Sequence, residues 1–282
     1  MQIKTRPGET RTIDQIREHY EIERELADRL RNCRKPDRRG LYSEVYNELF
    51  RRVPLHPQLT RVEDPERVAG IVREKMRLLS CFLTPGAVFL EVGAGDCRLT
   101  LEVARHVRKA YALDVSQEVN KGLRCPDNFE FVLSNGTNIP VPSGSVTVAY
   151  SYQLMEHVHP DDALEQLTNI YRALAPGGVY ICITPNRLSG PHDVSRYFDT
   201  EASGFHMKEY TVTELGQIFR QTGFREVSLR LGLRGRFVDL PLGPVSMLES
   251  LLSCFNRRWC RKLAAAPVVS SLLMAAVVGR KA

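Results

Sequence analysis

The sequence has no CxxC pair, no low-complexity tract or internal repeat, and no apolar leader, and its basic cluster Arg31, Arg34, Lys35, Arg38 and Arg39 reads as a solvated face. Its seven cysteines, Cys33, Cys81, Cys97, Cys125, Cys182, Cys254 and Cys260, are odd in number and unpaired in spacing. That excludes a disulfide framework or a zinc knuckle and fits reduced thiols in a cytoplasm. The stretch from Met1 to Tyr20 is polar and shows no apolar signal segment, so a cytoplasmic location is expected. No His, Cys or carboxylate cluster with ligand spacing is visible, and no metal is expected. Net charge is +6, divided as +4 over residues 1–80, −5 over 81–220 and +7 over 221–282. A nucleic-acid partner normally demands denser basic clustering. What remains is ordinary globular composition, 43% apolar and 26% charged over 282 residues, which excludes a disordered chain, a rod or a disulfide-built mini-domain. The only long apolar run, Leu263–Gly279, has 17 uncharged residues, at the short edge of a membrane span. Pro267, Ser270 and Ser271 interrupt it. A linker followed by a buried strand, Leu272–Val278, is expected, with a membrane-contacting segment as the alternative. The neighbouring Arg257, Arg258, Arg261 and Lys262 read as a solvated helix end.

Along the chain, residues 1–80 read as a helical extension and residues 81–282 as an α/β domain. Thr12 with Gln15 forms a capping box ahead of Ile13, Ile16 and Tyr20. A polar break, Asn32–Gly40, precedes a helix marked by Leu41, Tyr42, Tyr46, Leu49 and Phe50. Asp64 then Pro65 start a third helix. Beyond Gly86 the period changes. Short apolar runs at Val88–Val92, Ala110–Leu113, Phe129–Leu133, Val146–Ser151, Val179–Ile183, Val227–Leu231 and Leu272–Val278 predict seven strands. They alternate with helices, including one carrying Leu164, Leu167, Ile170, Tyr171 and Leu174, one capped by Thr211 and Glu214, and one capped by Ser246 and Glu249. The expected fold is a doubly wound, mostly parallel, Rossmann-like sheet. Pro185–Tyr210 shows no period and is expected to be a functional loop or lid.

The segment Val88-Phe89-Leu90-Glu91-Val92-Gly93-Ala94-Gly95-Asp96 runs a buried strand into a glycine turn and a helix start, where free amides face a ligand. A dinucleotide fingerprint needs a glycine at position 98, but Arg98 stands there. Glu91 suits a ligand with positive charge. Asp114 follows Gly95 by 19 residues and can accept the hydroxyls of a ribose.

With Glu91-x-Gly93-x-Gly95, Asp114, Asn135-Gly136-Thr137-Asn138-Ile139-Pro140, Ser151 to His157 and Leu174-Ala175-Pro176-Gly177-Gly178 in this order, the chain resembles the class I S-adenosylmethionine-dependent methyltransferases. The likeness spans Val88 to Val278 and is nearest the small-molecule branch, which includes quinone-biosynthesis enzymes. It implies S-adenosylmethionine as cofactor, with Glu91, Gly93, Ala94 and Gly95 along its methionine part. Asp114 would hold the ribose, with Val115 against the adenine and Asn135 and Gly136 at the adenine edge. Tyr152 and Gln153 would face the sulfur. The family often has Asp where Asn135 and Thr147 stand. The extension 1–80 is expected to cover the substrate pocket. Tyr42 and Tyr46 are candidates for lining it, core packing being the alternative.

The implied activity is methyl transfer to a small-molecule or carrier-linked acceptor, at oxygen. His157 is the candidate general base; ordering the following helix start is the alternative. His159 reads as a loop residue. His192, Asp193 and Arg196 are candidates for gripping a polar substrate, unless Asp193 and Arg196 only pair to order their loop. His206 is expected to face inward, or to lie in a structural hairpin. A nucleic-acid methyltransferase is the first rival, disfavoured because Ser151-Tyr152-Gln153-Leu154 stands where an Asn/Asp-Pro-Pro-aromatic tetrad would. A non-catalytic cofactor-binding scaffold is the second.

Overall fold

Short apolar runs become parallel strands when helices cover both faces of the sheet. The computed structural model describes residues 9–60, 64–116, 124–233 and 236–282; the first eight residues of the polar N-terminal stretch lie outside them. Four helices lead: α1 (Ile13–Asn32), α2 (Lys35–Arg52), the short α3 (Pro57–Thr60) and α4 (Pro65–Leu79). Then come β1 (Val88–Val92), α5 (Arg98–Ala104), β2 (Lys109–Asp114), β3 (Phe129–Leu133), β4 (Val146–Tyr152), α6 (Pro160–Ala173) and β5 (Leu174–Ile183). The chain closes with α7 (Val212–Thr222), β6 (Glu226–Leu233), β7 (Arg236–Pro241), α8 (Gly243–Ser253), α9 (Arg257–Ala264), α10 (Pro267–Leu273) and β8 (Ala276–Arg280). One sheet has the order β3-β2-β1-β4-β5-β8-β6-β7. Its first five strands are parallel, while β8 is antiparallel to both β5 and β6.

Both faces of β1 are buried. Leu90 and Val92 join a core with α6 and α7, while Phe89 joins another with α4 and α5. A smaller core, with Leu26, Leu30, Tyr42, Val45, Leu49 and Phe205, ties α1 and α2 to the segment after β5. Strand order reverses at β1, between β2 and β4, which opens a crevice at their carboxyl ends.

Several boundaries differ from the sequence expectation. The sheet has eight strands, not seven, because β7 pairs with β6 as an edge hairpin. Most of β7 is solvent-exposed, so it lacks the apolar run that marks a buried strand, and Pro241 is tolerated at such an edge. The Asn32–Gly40 break shrinks to Cys33–Arg34, because Pro36 sits in the first turn of α2, where its missing amide costs nothing. Pro267 likewise starts α10, in which Ser271 donates back to the Pro267 carbonyl at 2.8 Å. The expected linker is therefore helical, and the final strand begins only at Ala276. Leu174 opens β5 instead of closing α6, and Leu164 is exposed.

The expected Ser246/Glu249 cap is also absent. Helix α8 starts at Gly243, and Met247, Leu251 and Phe255 face outward. Glu249 is buried and instead accepts the Val212 and Thr213 amides at the start of α7, at 2.7 and 2.9 Å. The Thr12/Gln15 and Thr211/Glu214 capping boxes form as expected. Among the described residues, no helix is long and apolar enough to cross a membrane.

Candidate functional site

The turn after β1 is shaped by backbone geometry. Gly93 and Gly95 have φ of 76° and 52°, a region costly for residues with a Cβ. The Gly93 and Ala94 amides donate to the Leu113 carbonyl at 2.8 and 3.0 Å, which fixes the turn against β2. Open space surrounds Gly95 where a side chain would stand. A cavity of about 240 Å³ opens here, lined by Glu91, Gly93, Gly95, Tyr152 and the α4 residues Ile71 and Lys75.

Glu91 is 4% exposed and accepts from Thr100. Burial pushes its carboxyl up to about 7. Lys75 is lowered by its own burial and lies 4.0 Å above the Tyr152 ring. In the unfolded chain Glu91 titrates near 4.5, so the folded state holds the extra proton between about pH 4.5 and 7. Stability therefore falls as pH rises through that window and levels off above it. The variant Glu91→Gln is expected to gain stability over the parent at pH 8 but not at pH 4, by about 3 kcal/mol between these limits. Thermal melts across pH measure this; a gain independent of pH would mean that Glu91 is ionised in the fold.

Asp114 ends β2 with both oxygens engaged. Oδ2 accepts the Gly95 amide at 2.9 Å; Oδ1 accepts the Val115 and Ser116 amides at 2.7 and 3.2 Å. Burial raises its carboxyl despite these three donors. The Val115 carbonyl accepts from Ser43 Oγ at 2.7 Å, which pins α2 over this end of the crevice. Asn135 turns its oxygen back on its own loop, accepting the Thr137 and Asn138 amides at 3.1 and 3.0 Å. Gly136, with φ of 98°, lies against the Tyr42 ring, and a Cβ there would come within 2.8 Å of it.

Tyr42 is a packing residue, as its alternative reading had it. Its hydroxyl donates to buried Asp162 at 2.9 Å and accepts the His159 amide at 2.9 Å. Tyr46 stacks on Phe205, with ring centroids 4.7 Å apart. His159 caps α6 by accepting the Asp161 amide.

Gln153 has a left-handed φ of 54°, and its amide donates to the Ile183 carbonyl at 2.8 Å. The next residues, Met155–His157, form a short 3-10 turn. His157 Nδ1 is 3.2 Å from the Phe205 carbonyl, and burial pushes the imidazole down to about 3. Glu156 is fully buried. Its Oε2 accepts from Thr184 at 2.7 Å, Oε1 has no partner, and burial raises the carboxyl to about 7.

The segment 185–210 is pinned largely by carboxylates, from within and from α1. Glu23 accepts the Phe205 amide at 2.9 Å, Asp193 the Gly204 amide at 2.9 Å, and Glu209 the His192 amide at 2.7 Å. The Arg196 Nε donates to the Asp193 carbonyl oxygen at 2.6 Å, and the Asp193 carboxylate accepts the Ser195 amide at 3.1 Å. His192 Nε2 is within hydrogen-bond distance of Ser189 Oγ and the Asn186 carbonyl, at 3.0 and 3.2 Å. His206 is buried, with Nδ1 2.7 Å from Glu209 Oε1. Burial lowers its imidazole, but the Glu209 bond and the nearby Glu156 and Asp193 carboxylates outweigh this and leave it raised.

Sequence reasoning missed Lys75 and Glu156. Lys75 had a legible signal, a lone cation on the apolar stripe Val68, Ile71, Val72, Met76 and Leu79. Glu156 stood in a quoted motif, but its burial depends on how residues 205–210 fold over it.

Residues 90–182 match the family described as "Methyltransferase domain". Over 149 residues the chain is 30% identical to a Mycolicibacterium smegmatis protein named as an S-adenosylmethionine-dependent methyltransferase, covering 52% of this chain and 55% of that one. Over 166 residues it is 27% identical to a ubiquinone/menaquinone biosynthesis C-methyltransferase of Brucella suis, covering 52% and 56%. The chain thus spans about half the length of the curated relatives it matches. A solved Haloferax volcanii methyltransferase, in complex with the Trm112 activator, shares the fold at a TM-score of 0.50 and 16% identity, over 77% of this chain and 94% of that one. With the glycine turn, the acidic ends of β1 and β2 and the sheet order described above, residues 90–182 form a methyltransferase domain similar to those of S-adenosylmethionine-dependent methyltransferases.

Proposed function

We propose that the chain transfers a methyl group from S-adenosylmethionine to a small-molecule or carrier-linked acceptor. The observation that carries this reading is Glu91, a buried carboxylate in a cavity wall beside the open face of Gly95. An anion so desolvated gains by meeting a cation, and an ammonium or sulfonium group fits where a diphosphate would be repelled. The cavity is smaller than the roughly 300–1,000 Å³ of whole-ligand pockets, so it takes one end of such a ligand. Bound there, S-adenosylmethionine supplies a methyl group already activated by its sulfonium.

The residues of the chain then bind and orient. Glu91, Gly93, Ala94 and Gly95 hold the methionine end. A carboxylate has about four acceptor sites; three of those on Asp114 are taken, so it receives one ribose hydroxyl while these bonds stand. Val115, Asn135 and Gly136 form the adenine end beneath α2, and Gln153 and Tyr152 border the sulfur. In-line methyl transfer asks chiefly for alignment and exclusion of water. An imidazole held down to about 3 is a weak proton acceptor at neutral pH, so we assign His157 to positioning and not to proton removal. His192, Asp193 and Arg196 shape the wall of the acceptor side, with His206 innermost, and the helical extension covers it.

Oxygen is the acceptor atom in this reading. The Brucella relative's name favours carbon as a second reading, and carbon-13 methyl product analysis separates them. The first experiment is calorimetric titration with S-adenosylmethionine and S-adenosylhomocysteine. Micromolar binding of both, about −8 kcal/mol, is expected. Absence of binding by either would overturn the methyl-transfer reading.

A further inference from the structure

Nothing in the linear spacing suggested a metal site, yet the fold assembles one set of suitable ligands. Glu156 and His157 lie in the turn after β4, and His206 arrives from the segment after β5. One ligand atom from each lies within 4.8 Å of the others. The two imidazoles stand nearly perpendicular, at 86°, but each has its Nδ1 facing an oxygen. His157 Nδ1 faces the Phe205 carbonyl at 3.2 Å, and His206 Nδ1 faces the Glu209 carboxylate at 2.7 Å. A proton on each Nδ1 satisfies these oxygens and leaves a lone pair on each Nε2. Metal-binding histidines are commonly fixed in this way, by an outer oxygen on the other nitrogen.

An independent observation points to the same ligand. Glu156 is 0% exposed, and its Oε1 has no hydrogen-bond partner. Buried acceptors are rarely left so, and a cation between the three groups would satisfy it.

The second His-carboxylate cluster, His19, Glu23 and His56, differs in this respect. His19 spends one nitrogen on the Arg11 guanidinium at 2.8 Å and the other on Glu23 at 2.8 Å. The remaining Glu23 oxygen accepts the Phe205 amide. That network is closed, and Arg11 opposes a further cation.

We propose that Glu156, His157 and His206 bind one divalent first-row transition-metal ion, with a coordination position left for an oxygen ligand from outside the protein. Two imidazoles and one carboxylate suit zinc, manganese or iron better than calcium or magnesium, which favour all-oxygen shells. Three protein ligands with an open position is the pattern of catalytic rather than structural zinc. Zinc–nitrogen bonds of about 2.0 Å require the three side chains to draw closer than they stand here.

The test uses the full chain without affinity tag, stripped with a chelator, loaded with Zn²⁺ and freed of excess by gel filtration. Bound metal is then counted by mass spectrometry. The parent is expected to keep one equivalent more than the double variant His157→Ala/His206→Ala, and Glu156→Gln to weaken binding at least tenfold. His56→Ala is expected to keep the full equivalent; its loss there instead would place the ion in the other cluster and overturn the proposal. Equal retention by parent and double variant would also overturn it. If the double variant fails to fold, as judged by circular dichroism, Co²⁺ added to the parent decides. A visible ligand-field band that Glu156→Gln shifts or weakens supports the site, and no band overturns it. Metal is counted without cofactor or acceptor, so failure here leaves the methyl-transfer reading intact.

Discussion

Replacing Asp114 with alanine is expected to lower the affinity for S-adenosylmethionine by about 100-fold or more. The loss has two sources. One is the proposed bond to a ribose hydroxyl, a hydrogen bond to a charged group worth roughly 1.5–3 kcal/mol. The other is the frame that this carboxylate builds: it accepts the Gly95 amide from the turn after β1 and the Val115 and Ser116 amides from the turn after β2. Without it, three amides near the ligand lose their acceptor and the two turns lose their tie. At about 1.4 kcal/mol per factor of ten, either source alone gives one decade, and together they exceed two. Asp114→Asn keeps the shape and one acceptor oxygen, so an intermediate loss of about tenfold is expected from the same bond scale. Calorimetry on the three proteins makes the comparison. Unchanged affinity in the alanine variant would remove Asp114 from the binding site.

The largest stability effect is expected far from the cavity floor, at Arg38. Arg38 and Asp162 are 3% and 2% exposed. The guanidinium meets the carboxylate with two nitrogens, Nε at 2.8 Å and Nη2 at 3.2 Å, while Nη1 donates to the Cys33 carbonyl. Removing one member of such a pair leaves the other charge buried and alone, at a cost of about 3–5 kcal/mol. Arg38→Ala is expected to fall in that range by urea unfolding. Replacing both partners, Arg38→Met with Asp162→Leu, is expected to restore most of the loss, because neither charge is then stranded. A cost below about 1 kcal/mol for the single variant would mean that water reaches Asp162. The same pair clamps α2 onto α6 and so holds Tyr42 over Gly136 and Ser43 on Val115. Arg38→Ala should therefore also weaken cofactor binding, although Arg38 lines none of the cavity.

What was legible in the sequence followed the range of the forces involved. The strand, glycine turn and helix start at Val88–Leu99 could be read because buried parallel strands are short apolar runs and the turn needs glycine. The capping boxes at Thr12 and Thr211 could be read because their partners stand only three positions apart. Arg38 and Asp162 lie 124 residues apart, and no local pattern pairs them; each alone looks like one more charge on a solvated helix. The same holds for His206, whose meeting with Glu156 depends on how residues 185–210 return across the end of β4. Strand β7 escaped notice because an exposed edge needs no apolar face, and α10 because a proline and two serines resemble a linker until the proline is placed in a first helical turn. Within the candidate site, the residues that touch the glycine turn were readable, and those that reach it from α2 and α4 mostly were not.

The position of β8 has a consequence for how the molecule is built. It is the last strand in chain order, yet it sits between β5 and β6 and pairs with both. Until residues 276–280 emerge during synthesis, β5 ends in an unpaired backbone edge and the β6–β7 hairpin has no sheet to join. Two open edges in one nascent chain invite pairing with another chain. The interval before β8 is made is thus the period in which this protein would most depend on chaperones, and shortened products ending before Ala276 would be the ones most prone to aggregate.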